Sequence, residues 1–174
     1  MQIKKPSELS QEERANIVEF LHTHPLGVLA TVDEDGNPHA SPIYFSVDGD
    51  MNISFTTKLE TQKSKNIARN KMVMLVAYDS ENQAAVQAKG PAVEVKDPAK
   101  RLEIYHGTLR GAKITGEDNV PPIAKINAGP FAAYTITPED IWLSEYGWGD
   151  SFANALKEIS QHTDDDTMED SAHE

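Results

Sequence analysis

The residues best suited to chemistry sit at one short helix start. Thr61, Gln62 and Lys63 follow an extended segment ending Phe55-Thr56-Thr57, and Lys65 and Arg69 come soon after. The first N–H groups of a helix lack intrahelical acceptors and lie at its positive end, so they favour an anion. A lysine there is mildly unfavourable unless an anion compensates it. Thr56, Thr57 and Thr61 carry hydroxyls able to donate to phosphate oxygens, and Gln62 offers an amide N–H. The same pattern also reads as a solvated helix face.

Three other places carry candidates. In Ser41-Pro42-Ile43-Tyr44-Phe45 a proline interrupts a strand, which marks an edge or a bulge. Backbone exposed there suits a planar ligand with mixed donors and acceptors, or the proline simply protects an edge. Gln87 stands among Ala84, Ala85, Val86 and Ala88, where it reaches either a ligand heteroatom or solvent. Trp142 and Trp148 fit stacking on an aromatic ligand, a dimer interface or plain core packing.

The remaining polar residues form no recognisable constellation. His22 and His24, two apart, cannot share a helical face and suggest no metal site, and His39 and His106 stand alone. Ser41, Ser46 and Ser54 lie in no nucleophile elbow. Gly107 and Gly111 form no dinucleotide fingerprint, and no Walker-type sequence occurs. No side chain qualifies as a catalytic acid or base.

These residues need elements to hold them. Ser10 and Glu13 form a capping box for a helix over about Ser7 to His22, closed by Pro25. Leu26–Val32, His39–Val47 and Met51–Thr57 read as three strands joined by the turns 33–36 and 48–50, an antiparallel meander. Thr61 caps a helix to about Asn70. Met72–Tyr78 is an apolar run consistent with a strand buried on both sides. Ala84–Val95 is a long strand, with Gly90-Pro91 as a bend. Asp97-Pro98 opens another helix. Residues 111–130 read as irregular, Phe131–Ile136 and Ile141–Tyr146 as strands, and Ser151–Gln161 as a short helix. Six or seven strands with hairpin turns and few helices predict a mainly β fold with flanking helices, an antiparallel barrel or sandwich.

Composition bounds the functional classes. The 174 residues have 39% hydrophobic and 25% charged content, ordinary for one globular domain. With no cysteine, thiolate metal sites, disulfides and cysteine nucleophiles are excluded. No apolar run approaches a membrane span and no signal-peptide pattern is present, so the expected location is cytoplasmic. The net charge of −12 argues against sequence-independent binding to nucleic acid or to anionic membrane. Residues 162–174 hold six acids and no lysine or arginine. They read as a disordered acidic tail, a charge run that also suits docking of a basic partner, behind a single domain spanning 1–161.

The stretches HPLGVLATVDEDGNPHASPIYFSVDGDMNISFTT, TQKSKNIARNKMVMLVAYD, VQAKGPAVEV and GPFAAYTITPEDIWLSEYG resemble the pyridoxamine 5'-phosphate oxidase-like family of FMN-binding split β-barrels. The likeness runs from about Ser7 to Gly147. It implies an antiparallel split barrel and a homodimer holding flavin mononucleotide in two clefts between subunits. Lys63 then corresponds to the family's phosphate-binding lysine, and Thr57 and Thr61 to small hydroxyl residues near that phosphate. Gln62 stands where the oxidase has an arginine. Ser41 to Tyr44 correspond to the strand along the flavin ring, and Gln87 to a glutamine near it. The tryptophans would reach the cleft from the other subunit. The arginine-rich closing segment of the oxidase has no counterpart after Trp142, so the chain is more similar to the shorter general-stress-protein-like branch than to the vitamin B6 enzyme. The resemblance thus implies a flavin-dependent oxidoreductase acting on a small molecule. A flavin-binding or stress-response module with little turnover, or a relative using deazaflavin or haem, is the alternative.

Overall fold

In the computed structural model, residues 3–115 and 130–145 are described. Among these residues seven strands are all paired antiparallel: β1 (Leu26–Val32), β2 (Pro38–Val47), β3 (Ile53–Lys58), β4 (Met72–Asp79), β5 (Ala84–Val95), β6 (Phe131–Ile136) and β7 (Asp140–Glu145). They run in the order β4-β1-β2-β3-β6-β5-β7, and β4 also pairs with β5. Six strands therefore close a barrel, and β7 adds a seventh strand to the outside edge of β5. The mainly β, split-barrel architecture expected from the sequence is what the chain forms.

Turn chemistry sets the register. Asp33 Oδ1 accepts from the amides of Asp35 (3.0 Å) and Asn37 (2.8 Å), and Gly36 takes φ +85°. Asp48 repeats this with Asp50 and Asn52, at 3.0 and 2.8 Å. These side chains replace backbone partners that a free turn lacks. Alternation then sends Ile43, Phe45 and Val47 of β2 inward against Ile53 and Phe55 of β3, Leu29 of β1 and Leu75 of β4. Pro42 and Tyr44 face out.

Among the described residues three helices flank the barrel: α1 (Gln11–Thr23), α2 (Gln62–Arg69) and α3 (Pro98–Thr115). Ser10 and Glu13 cap α1 reciprocally, at 3.1 and 2.8 Å, and its Ile17 and Leu21 join the core. The helix starts at Gln11, after a separate short 3-10 turn at Pro6–Glu8.

Two expectations need correction. Strand β4 is not buried on both sides: Val73, Leu75 and Ala77 are buried but Met72 and Tyr78 are exposed, because only one face meets the core. Residues 111–115 are helical rather than irregular, since α3 continues through Gly111. That glycine lets the helix approach β2, as a Cβ would stand 2.8 Å from the carbonyl oxygen of Phe45. At Gly90-Pro91 strand β5 changes partner, from β7 up to Lys89 to β6 from Ala92. Among the described residues no helix is long and apolar enough to cross a membrane. Trp148, the expected helix 151–161 and the acidic tail lie outside the described residues.

Candidate functional site

A cavity of about 420 Å³ opens on the outer side of the barrel wall, where β1, β2 and β3 meet α2 and α3. Leu26, Pro42, Ile43 and Tyr44 form its apolar part; Thr56, Thr57, Lys58, Thr61, Lys63 and Thr108 form its polar part. One end therefore suits a flat apolar body and the other an anion.

The polar end is built by a tight turn from β3 into α2. The Thr61 amide donates to the Lys58 carbonyl at 3.2 Å. Thr61 Oγ1 caps α2, accepting from the Ser64 amide at 3.4 Å, and it lies 2.9 Å from the Lys58 carbonyl oxygen and 3.1 Å from Thr57 Oγ1. Helix α3 closes the opposite wall. Thr56 Oγ1 donates to Thr108 Oγ1 at 3.3 Å, and Thr108 Oγ1 donates to the Ile104 carbonyl at 3.0 Å. Thr56, Thr57 and Thr108 are all buried.

Charge in the cavity is one-sided. Among the described residues, Lys58 and Lys63 line it, no carboxylate does, and neither lysine forms a salt bridge. Lys63 is half-buried, and that burial holds its ammonium below the ordinary lysine range. A desolvated, unpaired cation is costly to keep, and an anionic ligand would relieve it. The nearby basic residue Arg69 is committed elsewhere, to Glu34 at 2.6 Å.

The expected site residues divide into groups. Pro42, Ile43, Tyr44, Thr56, Thr57, Thr61 and Lys63 come together around the cavity. Gln62 does not: it is exposed, and its amide donates to Asn66 Oδ1 at 2.8 Å. Asn66 in turn donates to Thr31 Oγ1 at 3.0 Å, so Gln62 belongs to a chain that ties α2 to β1. Ser41 lies opposite Leu29 on the inward row of β2, its buried Oγ without a partner.

Gln87 and Trp142 stand apart from the cavity, opposite each other on β5 and β7. The register places Pro42, Val28, Val76, Gln87 and Trp142 in one row across β2, β1, β4, β5 and β7. This outward row starts at the cavity wall and ends at Trp142, whose buried Nε1 has no hydrogen-bond partner. Leu26, Val28 and Tyr78 on the same outer face are 41%, 44% and 55% exposed.

Sequence reasoning missed Lys58, Leu26 and Thr108. Strand alternation from Thr56 would have sent Lys58 outward beside it. Nothing local links Thr108 to Thr56, 52 residues away.

Comparison with known proteins bears on what this cavity holds. Residues 14–145 match the family model described as pyridoxamine 5'-phosphate oxidase. A 5a,11a-dehydrotetracycline/5a,11a-dehydrooxytetracycline reductase of Streptomyces rimosus is 28% identical over 111 residues, 62% of this chain and 69% of the reductase. The pyridoxine/pyridoxamine 5'-phosphate oxidase of Shewanella frigidimarina is 35% identical over 74 residues, 41% of this chain and only 35% of that enzyme. Among solved structures, an F420 reductase superposes with a TM-score of 0.55 at 25% identity, covering 71% of this chain and 94% of the reductase.

Proposed function

This chain belongs to the pyridoxamine 5'-phosphate oxidase family, and on that footing we propose that it binds FMN and acts as a flavin-dependent oxidoreductase on a small molecule. The observation that carries this reading is the half-buried Lys63 ammonium, which among the described residues has no salt-bridge partner and no carboxylate beside it on the cavity lining. The cavity fits the cofactor in shape as well as charge. Pro42, Ile43 and Tyr44 offer a flat apolar wall for the ring, and the turn from Lys58 to Lys63 offers the anion end.

A bound flavin would supply the hydride chemistry, and the chain's task is to bind, orient and exclude water. Lys63 holds the phosphate. The wall at Pro42–Tyr44 orients the ring and shields one of its faces. No side chain in the cavity is placed as a proton donor or acceptor for a substrate, so we assign no catalytic acid or base.

The site is completed by a second copy of the chain. Gln87 and Trp142 share the outward row that begins at the cavity wall, yet they do not reach the cavity of their own subunit. The exposed apolar side chains between them, Leu26, Val28 and Tyr78, are what a homodimer would cover. A two-fold dimer on this face would bring each subunit's Gln87 and Trp142 towards the partner's cavity.

The likeness to an F420 reductase favours a second reading, a deazaflavin in the same cavity, since it would share the planar ring and the phosphate. The absorption spectrum of the purified protein, before and after adding FMN, decides between them. Flavin bands and tight uptake of FMN are expected. A colourless protein that takes up no flavin overturns the proposal, and deazaflavin bands replace it with the second reading. Reduction by a nicotinamide nucleotide followed by transfer to an acceptor separates an enzyme from a flavin-storing module.

A further inference from the structure

The hydroxyl groups around the cavity have a fixed proton order. Thr61 Oγ1 lies 2.9 Å from the Lys58 carbonyl oxygen, which can only accept, so the Thr61 proton goes there. Thr57 Oγ1, 3.1 Å from Thr61 Oγ1, must then donate to that hydroxyl oxygen. Across the cavity, Thr108 gives its proton to the Ile104 carbonyl, and Thr56 gives its proton to Thr108. All four threonine protons are committed inside the protein. Thr61 Oγ1 already accepts from the Ser64 amide and from Thr57, so it is Thr56, Thr57 and Thr108 that turn lone pairs towards a ligand, which repel a phosphate oxygen and suit the hydroxyl donors of a polyol chain.

The anion must therefore be held by other groups, and the cavity has two side chains for it. Lys58 leaves β3 on the outward side, next to Thr56, and lines the same polar end as Lys63. Neither has a carboxylate partner among the described residues. We propose that Lys58 and Lys63 share the ligand's phosphate, while Thr56 and Thr57 serve as acceptors for hydroxyls of the chain leading to it. This rests on the reading of the cavity as an FMN site. It adds a specificity-determining residue, Lys58, and assigns the threonines a role opposite to the donors their type suggests.

The test compares FMN with riboflavin, which lacks the phosphate, by calorimetry on the full chain and on the variants K58Q, K63Q and T57V. Removing one charge-assisted contact should weaken FMN binding about ten- to a hundred-fold in each lysine variant, and leave riboflavin binding unchanged. T57V should retain the FMN-over-riboflavin preference, because its hydroxyl gives nothing to the phosphate. Circular dichroism and thermal melting confirm that each variant folds. If K58Q binds FMN as tightly as the parent does, Lys58 has no such role. If T57V erases the phosphate preference, the proton order is wrong. If the parent protein binds neither flavin, the flavin reading itself fails, an outcome distinct from both.

Discussion

Gln87 and Trp142 lie directly opposite each other on β5 and β7, on the barrel face that carries the cavity but away from it. The proposed two-fold dimer, with its site shared between subunits, makes a complementation experiment decisive. K63A and W142A homodimers should each bind FMN weakly. Mixing and exchanging their subunits should create heterodimers in which one of the two clefts has Lys63 and Trp142 intact. Random equimolar exchange makes about half of the dimers heterodimers, so recovery of about a quarter of all clefts, read by flavin fluorescence quenching, is the expected outcome. Simple averaging of the two weak affinities would show that each cavity is built by one chain.

The same face predicts how the proposed dimer can be broken. Val28 is 44% exposed, sits between Pro42 and Val76 in the outward row, and does not line the cavity. Val28→Lys should convert the dimer into a folded monomer by light scattering, because a charge would have to be desolvated at the interface. FMN affinity should fall with it, by about tenfold or more if the partner supplies one good contact. A V28K protein that stays dimeric would place the interface elsewhere.

Lys63 gives the binding a pH signature. Burial pushes its ammonium below the ordinary lysine range, and a bound phosphate would push it back up. Binding at alkaline pH should therefore take up protons, seen as buffer-dependent calorimetric heats. FMN affinity should decline at a lower pH than an unperturbed lysine would allow. Lys63→Arg keeps its charge throughout and should remove the part of the alkaline decline that Lys63 causes. Lys63→Ala should reduce flavin occupancy without unfolding the chain.

Much of this architecture was legible because its signals are local. The capping box at Ser10 and Glu13, the turn residues Asp33 and Asp48, and the period-two pattern of β2 each fix a neighbouring element. The cavity's near wall was legible too, since Pro42–Tyr44 and Thr56–Lys63 are short continuous segments. What stayed hidden depends on contacts distant in sequence. Thr108 reaches the cavity only because Gly107 and Gly111 let α3 settle on β2. Gln62 follows Thr61 and precedes Lys63 in sequence, while helical geometry turns its amide along α2 to Asn66, four residues on.

Asp79 predicts acid sensitivity of the fold. Its carboxylate accepts from the amides of Glu81 (2.9 Å) and Asn82 (3.2 Å) and from the Asn82 side chain (2.7 Å), and His24 Nε2 lies 3.3 Å away. These partners, the Asn82 side chain first, hold Asp79 below the usual carboxylate range. A carboxyl depressed by folding stabilises above its unfolded value, and the gain disappears as pH falls through the folded one. Urea midpoints should therefore drop on acidification, and Asp79→Asn should flatten that slope while lowering stability at neutral pH. An unchanged slope in D79N would assign the acid sensitivity to other carboxylates.

The seating of α3 makes the last prediction, a ranking of two glycines. At Gly111 a Cβ would stand 2.8 Å from the Phe45 carbonyl oxygen and 3.1 Å from Pro25 Cβ. The first of these is backbone in the middle of a paired strand and cannot move alone. At Gly107 the nearest atoms are Ser46 Oγ at 2.7 Å, which a rotation of χ1 can carry away, and Ser46 Cβ at 3.0 Å, which needs only a small shift. Alanine improves helix propensity at both positions by about 1 kcal/mol. Overpacking costs typically ~1–3 kcal/mol and more where backbone must shift. Gly111→Ala should thus be clearly destabilising, and Gly107→Ala close to neutral or mildly destabilising, in urea unfolding of the apoprotein. Because α3 carries Thr108 onto Thr56, G111A should also weaken FMN binding at temperatures where it remains folded. The reverse order of the two variants would mean that α3 is not positioned by its contact with β2.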